Sequence, residues 1–383
     1  MNKSASIVTL ALLAAFSFFG ALAAAQSFPP LLPKDAAAMG LGGSFISLSS
    51  GYSSFYGNPA GFASDKGEFT IADVKTWAYL KPTAANISAA TSLLKGGMSE
   101  SDTISTLNGL LTQNGFGGGF SFGLGYAGKG LGVGLYAVSD EVASGNTAMG
   151  STLSSSTMIN AVIGLGVPVK LGGLRLDIGG DARPYYRMDS VEGGWGLPDL
   201  LTNRDLSSEP VYAGFNLAMD FGASLQVNRF RFGLALRDIS PTYLMGRYTI
   251  GELLTGLSSG GLPSPGSDAA TASTPPFIAA GAAWQPVLVP HIVEPALYFE
   301  VQDPVGIYDN GDSVWELLHL GAEVKLINLV SLRAGINRGW LSAGVGLDLF
   351  FMKIDASVFT EELGRHPGDD PRTGIALQAA IRL

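Results

Sequence analysis

The chain contains no cysteine. Disulfide scaffolds, thiolate metal centres and acylation of a lipoprotein cysteine are therefore excluded together. It is also poor in histidine, with three, and in charge, with 14% Asp, Glu, Lys and Arg. Past residue 25 no apolar run approaches the ~20 residues that a membrane-spanning helix needs. Yet glycine is abundant, at 52 residues, and mean hydropathy is positive at +0.28. A chain this apolar without spanning helices has one remaining way to cross a bilayer. It is a closed barrel, in which every backbone polar group pairs between strands.

The first residues carry an export signal. Lys3 supplies a positive start, Ile7 to Leu22 an apolar stretch, and Ala23-Ala24-Ala25 before Gln26 the small residues that a signal peptidase accepts. Residues 1–25 are therefore expected to be removed, leaving a mature chain of about 358 residues, large for a small domain but ordinary for a barrel. The formal net charge of -9 and the lack of a basic stripe exclude nucleic acid as a partner.

The main signal is alternation with a period of two in segments of about ten residues. From Phe116 to Tyr126 the even positions are Phe116, Phe120, Phe122, Leu124 and Tyr126 around Gly118, while the odd ones are glycine or serine. From Ala213 to Val227, Phe215, Leu217, Met219 and Phe221 alternate with Asn216 and Asp220. The last third is the most regular, with five segments in phase from Leu318 to Leu383. In all, fourteen segments are expected: 69–80, 116–127, 130–139, 157–169, 173–184, 211–227, 230–239, 276–285, 295–303, 316–327, 329–338, 340–349, 351–361 and 373–383. An even count suits a bacterial barrel. The first and eighth are weak, because Asp73 and Lys75 share a face with Trp77, and 277–285 is mostly Ala and Gly.

Connection lengths support the same architecture. Outer-membrane barrels have short periplasmic turns and long external loops. With the N-terminus inside, the loops at 81–115, 140–156, 187–210, 240–275, 304–315 and 362–372 fall outside, and most turns at the other end are one to three residues. The exceptions are a tight external turn at Gly339 and a Pro-rich inner turn from Pro286 to Glu294. Leucines at helical spacing in 84–112, and again in Tyr248 to Leu257, predict short amphipathic helices at the outer rim.

Residues 26–68 have no strand pattern and too much Ala, Gly and Phe for a free tail, so they are expected to pack in the lumen as a plug. The fold class is then all-β: a transmembrane antiparallel barrel of about 14 strands over 69–383, closed by this segment. Two motifs lie within it, Ala38-Met39-Gly40-Leu41-Gly42-Gly43-Ser44-Phe45 and Asn58-Pro59-Ala60-Gly61-Phe62-Ala63. Together they resemble the opening of FadL-like outer-membrane transport proteins. That resemblance implies a fourteen-stranded barrel with an N-terminal hatch, an Asn-Pro-Ala motif in the hatch, and passage of a hydrophobic ligand such as a long-chain fatty acid when the hatch shifts. It covers the hatch motif, the strand count and the last strand, and does not reach the loops. The chain departs from the common pattern in ending on Leu383 where many outer-membrane proteins end on an aromatic residue. Some PorV-like relatives instead partner exported proteins during secretion or surface attachment, and a purely structural barrel is a third alternative.

Chemistry on this scaffold is sparse. His291 falls in an inner turn and His366 in an outer loop, so that only His319 faces the lumen, and no cluster has metal-ligand spacing. No catalytic residue, metal or cofactor is expected. Gly130-Leu131-Gly132-Val133-Gly134 lacks the strand-to-helix setting of a phosphate loop and is expected to give the plug room instead. The hatch residues singled out are Gly40, Gly42, Gly43, Asn58, Pro59, Ala60 and Gly61. Among mixed-sign charges on the lumen face, Arg183, Arg231 and Arg333 are the candidates to meet the polar end of a ligand, because a guanidinium binds a carboxylate through two parallel bonds. Membrane lipid is the other expected partner.

Overall fold

The computed structural model describes residues 26–383 apart from 48, 172, 192, 199–204, 262–267, 305–310 and 312. The expected signal peptide lies outside the described residues.

Among the described residues, fourteen strands close into one antiparallel barrel: β1 (Glu68–Tyr79), β2 (Phe116–Gly128), β3 (Leu131–Ser144), β4 (Thr152–Leu171), β5 (Leu174–Ser190), β6 (Pro210–Val227), β7 (Phe230–Ile239), β8 (Phe277–Trp284), β9 (Val293–Gln302), β10 (Leu318–Leu326), β11 (Val330–Asn337), β12 (Trp340–Leu349), β13 (Met352–Glu362) and β14 (Pro371–Arg382). Each pairs with the next, and β14 returns to β1 from Gly374↔Tyr79 to Arg382↔Thr70. Closure leaves no free edge, which is what a hydrocarbon environment demands of a sheet. No described helix is long and apolar enough to cross a membrane.

The alternation sorts faces as expected. Phe120, Phe122 and Leu124 on β2, Phe215 to Phe221 on β6, and Leu341 and Val345 on β12 face outward and are exposed, whereas the intervening positions are mostly buried in the lumen. This outward apolar belt places the protein in the outer membrane.

The two weak segments have physical explanations. On β1 a bulge shifts the register between Thr70 and Asp73, so Phe69 and Ile71 face lipid below it and Val74 above it. One extra residue reverses the phase of all that follow, which puts Asp73, Lys75 and Trp77 together in the lumen. On β8, Ala279 and Ala283 are small because they lie under Ile46 and Leu41 of the N-terminal segment.

The outer ends differ from expectation. β4 and β5 run on to Thr152 and Ser190, so the loops there are shorter than predicted. The segment 240–275 is not all loop. Tyr243–Thr249 rejoins β6 from Gly246↔Ala213, and pairs with Ala270–Ser273. Pro241 and the Pro275-Pro276 pair separate these pieces from β7 and β8, since proline offers no N–H to the ladder.

Among the described residues, α2 (Ala84–Lys95), α3 (Glu100–Asn114) and α4 (Ile250–Ser258) cap the outer rim, with α1 (Ala36–Gly40) inside the barrel. Thr83, Ser99 and Thr249 accept the first-turn amides of Asn86, Asp102 and Glu252, the usual way a helix start is satisfied. Leu107 and Leu111 of α3 pack on Ala143, Ala148 and Leu197, and Asn114 exchanges two 2.8 Å bonds with the Thr373 backbone.

The main core is the lumen itself. Phe28, Tyr52, Phe55, Tyr56 and Phe62 of the N-terminal segment pack against Trp77, Tyr79, Tyr136, Val162 and Tyr185 of the wall.

Candidate functional site

The N-terminal segment is held by its backbone, which explains the motifs. Asn58 precedes a 3-10 turn at Pro59–Ala63: its Oδ1 accepts the Ala60 amide at 3.0 Å and its Nδ2 donates to the Ala223 carbonyl of β6 at 3.0 Å. Proline fits the first position because its missing N–H would have no partner there. The wall is glycine where this turn presses on it. A Cβ on Gly222 would lie 1.9 Å from Asn58 Oδ1, and one on Gly179 would lie 2.1 Å from the Pro59 carbonyl oxygen. Gly42 has φ +71°, and a Cβ there would lie 2.4 Å from the Leu320 and Ile336 carbonyls. Gly40 approaches Gly344 of β12 and Gly61 packs on Ser54, while the Gly43 carbonyl accepts from Gln302 Nε2 at 2.9 Å. The glycine-rich run on β3 serves the same purpose, Gly132 meeting Phe62 and Gly134 meeting Phe55.

Wall side chains then satisfy the polar groups of the segment. Glu300 accepts the Phe45 and Ile46 amides at 3.0 and 2.8 Å. His319 Nδ1 lies 2.7 Å from the Gly42 carbonyl, which can only accept, so that ring nitrogen carries the proton. Arg237 donates to the Gly57 carbonyl at 2.8 Å and the Phe55 carbonyl at 3.2 Å, and is balanced by Asp220 at 2.9 Å. Arg187 holds the Pro29 carbonyl at 2.7 Å, and Lys34 pairs with Glu361 at 2.6 Å. Asp35 caps α1 by accepting the Ala37 and Ala38 amides, and accepts the Tyr56 hydroxyl at 2.8 Å. Burial raises the Asp35 pKa, but the nearby charges of Lys75 and Lys353 and these hydrogen bonds outweigh it, bringing it down to about 2.

Cavities remain on both sides. The outer one, about 390 Å³, lies between Pro29–Pro33, α1 and the outer ends of β3, β9, β11 and β13. Two inner ones, about 240 and 220 Å³, open towards the periplasmic ends of the strands. Asp35, Ala38, Phe45 and Tyr56 line both the outer cavity and the 220 Å³ inner one. These side chains stand between the two.

This fold has been seen before. The Pseudomonas putida toluene transporter TodX aligns with a TM-score of 0.50 at 12% identity, over 92% of this chain and 99% of that one. A Pseudomonas aeruginosa FadL homologue aligns at 0.46 and 14% identity, over 94% and 99%. No family model matches the sequence, and no curated protein does either. At such identity the likeness to TodX is one of fold, the barrel architecture.

The structure places the three candidate arginines far apart in role. Arg183 is buried on β5 between Asp220 at 2.9 Å, Asn160 at 2.8 Å and Asp238. Arg333 on β11 lies between Glu323 at 2.5 Å and Asp355 at 2.6 Å. Arg231 lines the 240 Å³ inner cavity beside Arg175 and Asp177. Asp238 escaped the sequence reading because its φ of +59° turns it into the lumen out of phase. Arg187 and Asp189 escaped because β5 was ended at 184, although Arg183, Tyr185, Arg187 and Asp189 continue the inward phase. Among the described residues no group of three His, Cys, Asp or Glu side chains could hold a metal ion.

Proposed function

We propose that this protein is a passive outer-membrane channel for small hydrophobic molecules. The observation that carries the reading is the outer cavity, lined by Pro29–Pro33, Met39, Phe45 and Phe277 and sharing Asp35, Ala38, Phe45 and Tyr56 of the N-terminal segment with an inner cavity. Its size falls in the range of ordinary small-molecule sites. The shared fold with a toluene transporter supports the same class of cargo.

Leu94 on α2 and Leu254 and Leu257 on α4 are exposed at the outer rim, where they offer apolar surface for a ligand arriving from outside. The ligand then descends into the outer cavity, and movement of the hatch formed by residues 26–68 joins it to the inner side. Arg231, at the inner mouth, is the candidate to meet a polar end on exit. Long-chain fatty acids are the cargo that the sequence resemblance implies.

Uptake of labelled toluene and oleate by cells with and without the gene tests the reading. Faster uptake of either with the gene supports it. Equal uptake of both, with loss of a surface protein in the deletion strain, would favour a secretion partner instead.

A further inference from the structure

The outer cavity carries an excess of negative charge. Its lining includes two cations, Lys34 and Arg338, against five carboxylates, those of Asp35, Asp140, Asp303, Glu361 and Glu362. Lys34 is already matched, and Arg338 lies at the exposed edge with a distant partner. Lys34 Nζ lies 2.6 Å from Glu361, which also accepts from Arg372 at 2.7 Å, and Arg338 lies 3.8 Å from Glu316.

The carboxylates are fixed as acceptors. Asp140 takes the Trp77 indole at 2.7 Å and the Tyr79 hydroxyl at 2.8 Å. Glu362 takes the amides of Gly364, Gly368 and Asp370 and the Trp340 indole, all within 3.0 Å. Beyond the hatch the balance reverses: the 220 Å³ inner cavity has Lys325, Arg333, Lys353 and Arg382 against Asp35, Glu323 and Asp348.

We infer that the outer cavity selects uncharged apolar molecules and discriminates against carboxylates of the same size. An anion entering it sheds water and meets like charge, with Lys34 already committed to Glu361. Displacing Glu361 from Lys34 would only leave that carboxylate buried and less well paired. An uncharged ligand meets none of these costs and covers Leu31, Leu32, Met39, Phe45 and Phe277. The inference rests on the uptake reading above and narrows its cargo.

The test compares two probes of one shape, naphthalene and 2-naphthoate, by equilibrium dialysis against the detergent-purified mature chain at neutral pH. Naphthalene should bind saturably and 2-naphthoate about tenfold more weakly or worse. Glu361→Gln releases Lys34 and Arg372 and should narrow the ratio by about threefold. Should that variant fail to fold, Asp140→Asn, which removes one negative charge, should narrow it in the same direction. Equal affinity of the wild-type chain for both probes would overturn the charge selection and leave the uptake reading standing. A ratio that neither variant changes would also overturn it. Saturable binding of neither probe would overturn the uptake reading itself.

Discussion

The Asn58 carboxamide donates to the Ala223 carbonyl of the barrel wall at 3.0 Å while its oxygen accepts the Ala60 amide. One side chain thus starts a turn in the N-terminal segment and ties that turn to β6. Asn58→Ala removes both bonds and is expected to cost about 1 kcal/mol, the usual worth of such a cap. Asn58→Asp keeps the acceptor but sets a buried carboxylate oxygen against the Ala223 carbonyl, so its urea midpoint should fall below that of Asn58→Ala. An alanine variant as stable as wild type would show that the tie contributes nothing.

Arg237 is fully buried in the lumen between Asp220 and the Gly57 and Phe55 carbonyls. Arg237→Ala leaves the buried Gly57 and Phe55 carbonyls without their donor and Asp220 with Arg183 as its remaining cation, and is expected to cost on the order of 3–5 kcal/mol. Arg231→Ala, at the inner mouth, should cost less than about 1 kcal/mol. Unfolding of the two variants in the same detergent measures the contrast, and similar losses would contradict it.

Tyr56 stands between the outer and inner cavities with its hydroxyl on Asp35. Tyr56→Ala should join them and raise single-channel conductance in planar bilayers. Tyr56→Phe keeps the ring and should stay near wild type. Identical conductance for all three would place the route elsewhere.

Asp35 links hatch stability to acid. Its pKa falls from 3.8 unfolded to about 2 in the fold. A depressed carboxylate stabilises fully above its unfolded value, and that contribution is lost as pH falls through the folded one. The advantage of wild type over Asp35→Asn should therefore be constant above about pH 4 and shrink towards pH 2. An advantage that grows with acid would refute the assignment.

Much of the barrel was legible because lipid enforces alternation on every strand that crosses it. The five segments from Leu318 to Leu383 appear as β10 to β14. Legibility failed where the lumen, not the lipid, set the residue. The β1 bulge at Thr70 to Asp73 serves inward charges, and the alanines of β8 serve Ile46 and Leu41. Asp238 entered the lumen through a left-handed backbone that no period announces. The lumen charges were found by face, but their partners were not. Lys34 and Glu361, 327 residues apart, meet only because the N-terminal segment threads the closed barrel.

The sequence by itself determined strand number, lipid face and the motifs of an enclosed N-terminal segment, because period, composition and turn chemistry are local properties. Tertiary structure alone decided which lumen charges cancel, where the cavities lie, and that Arg183 and Arg333 are already bound by carboxylates. Those outcomes depend on pairing across a closed surface. Strands adjacent there can be first and last in the chain, as β1 and β14 are.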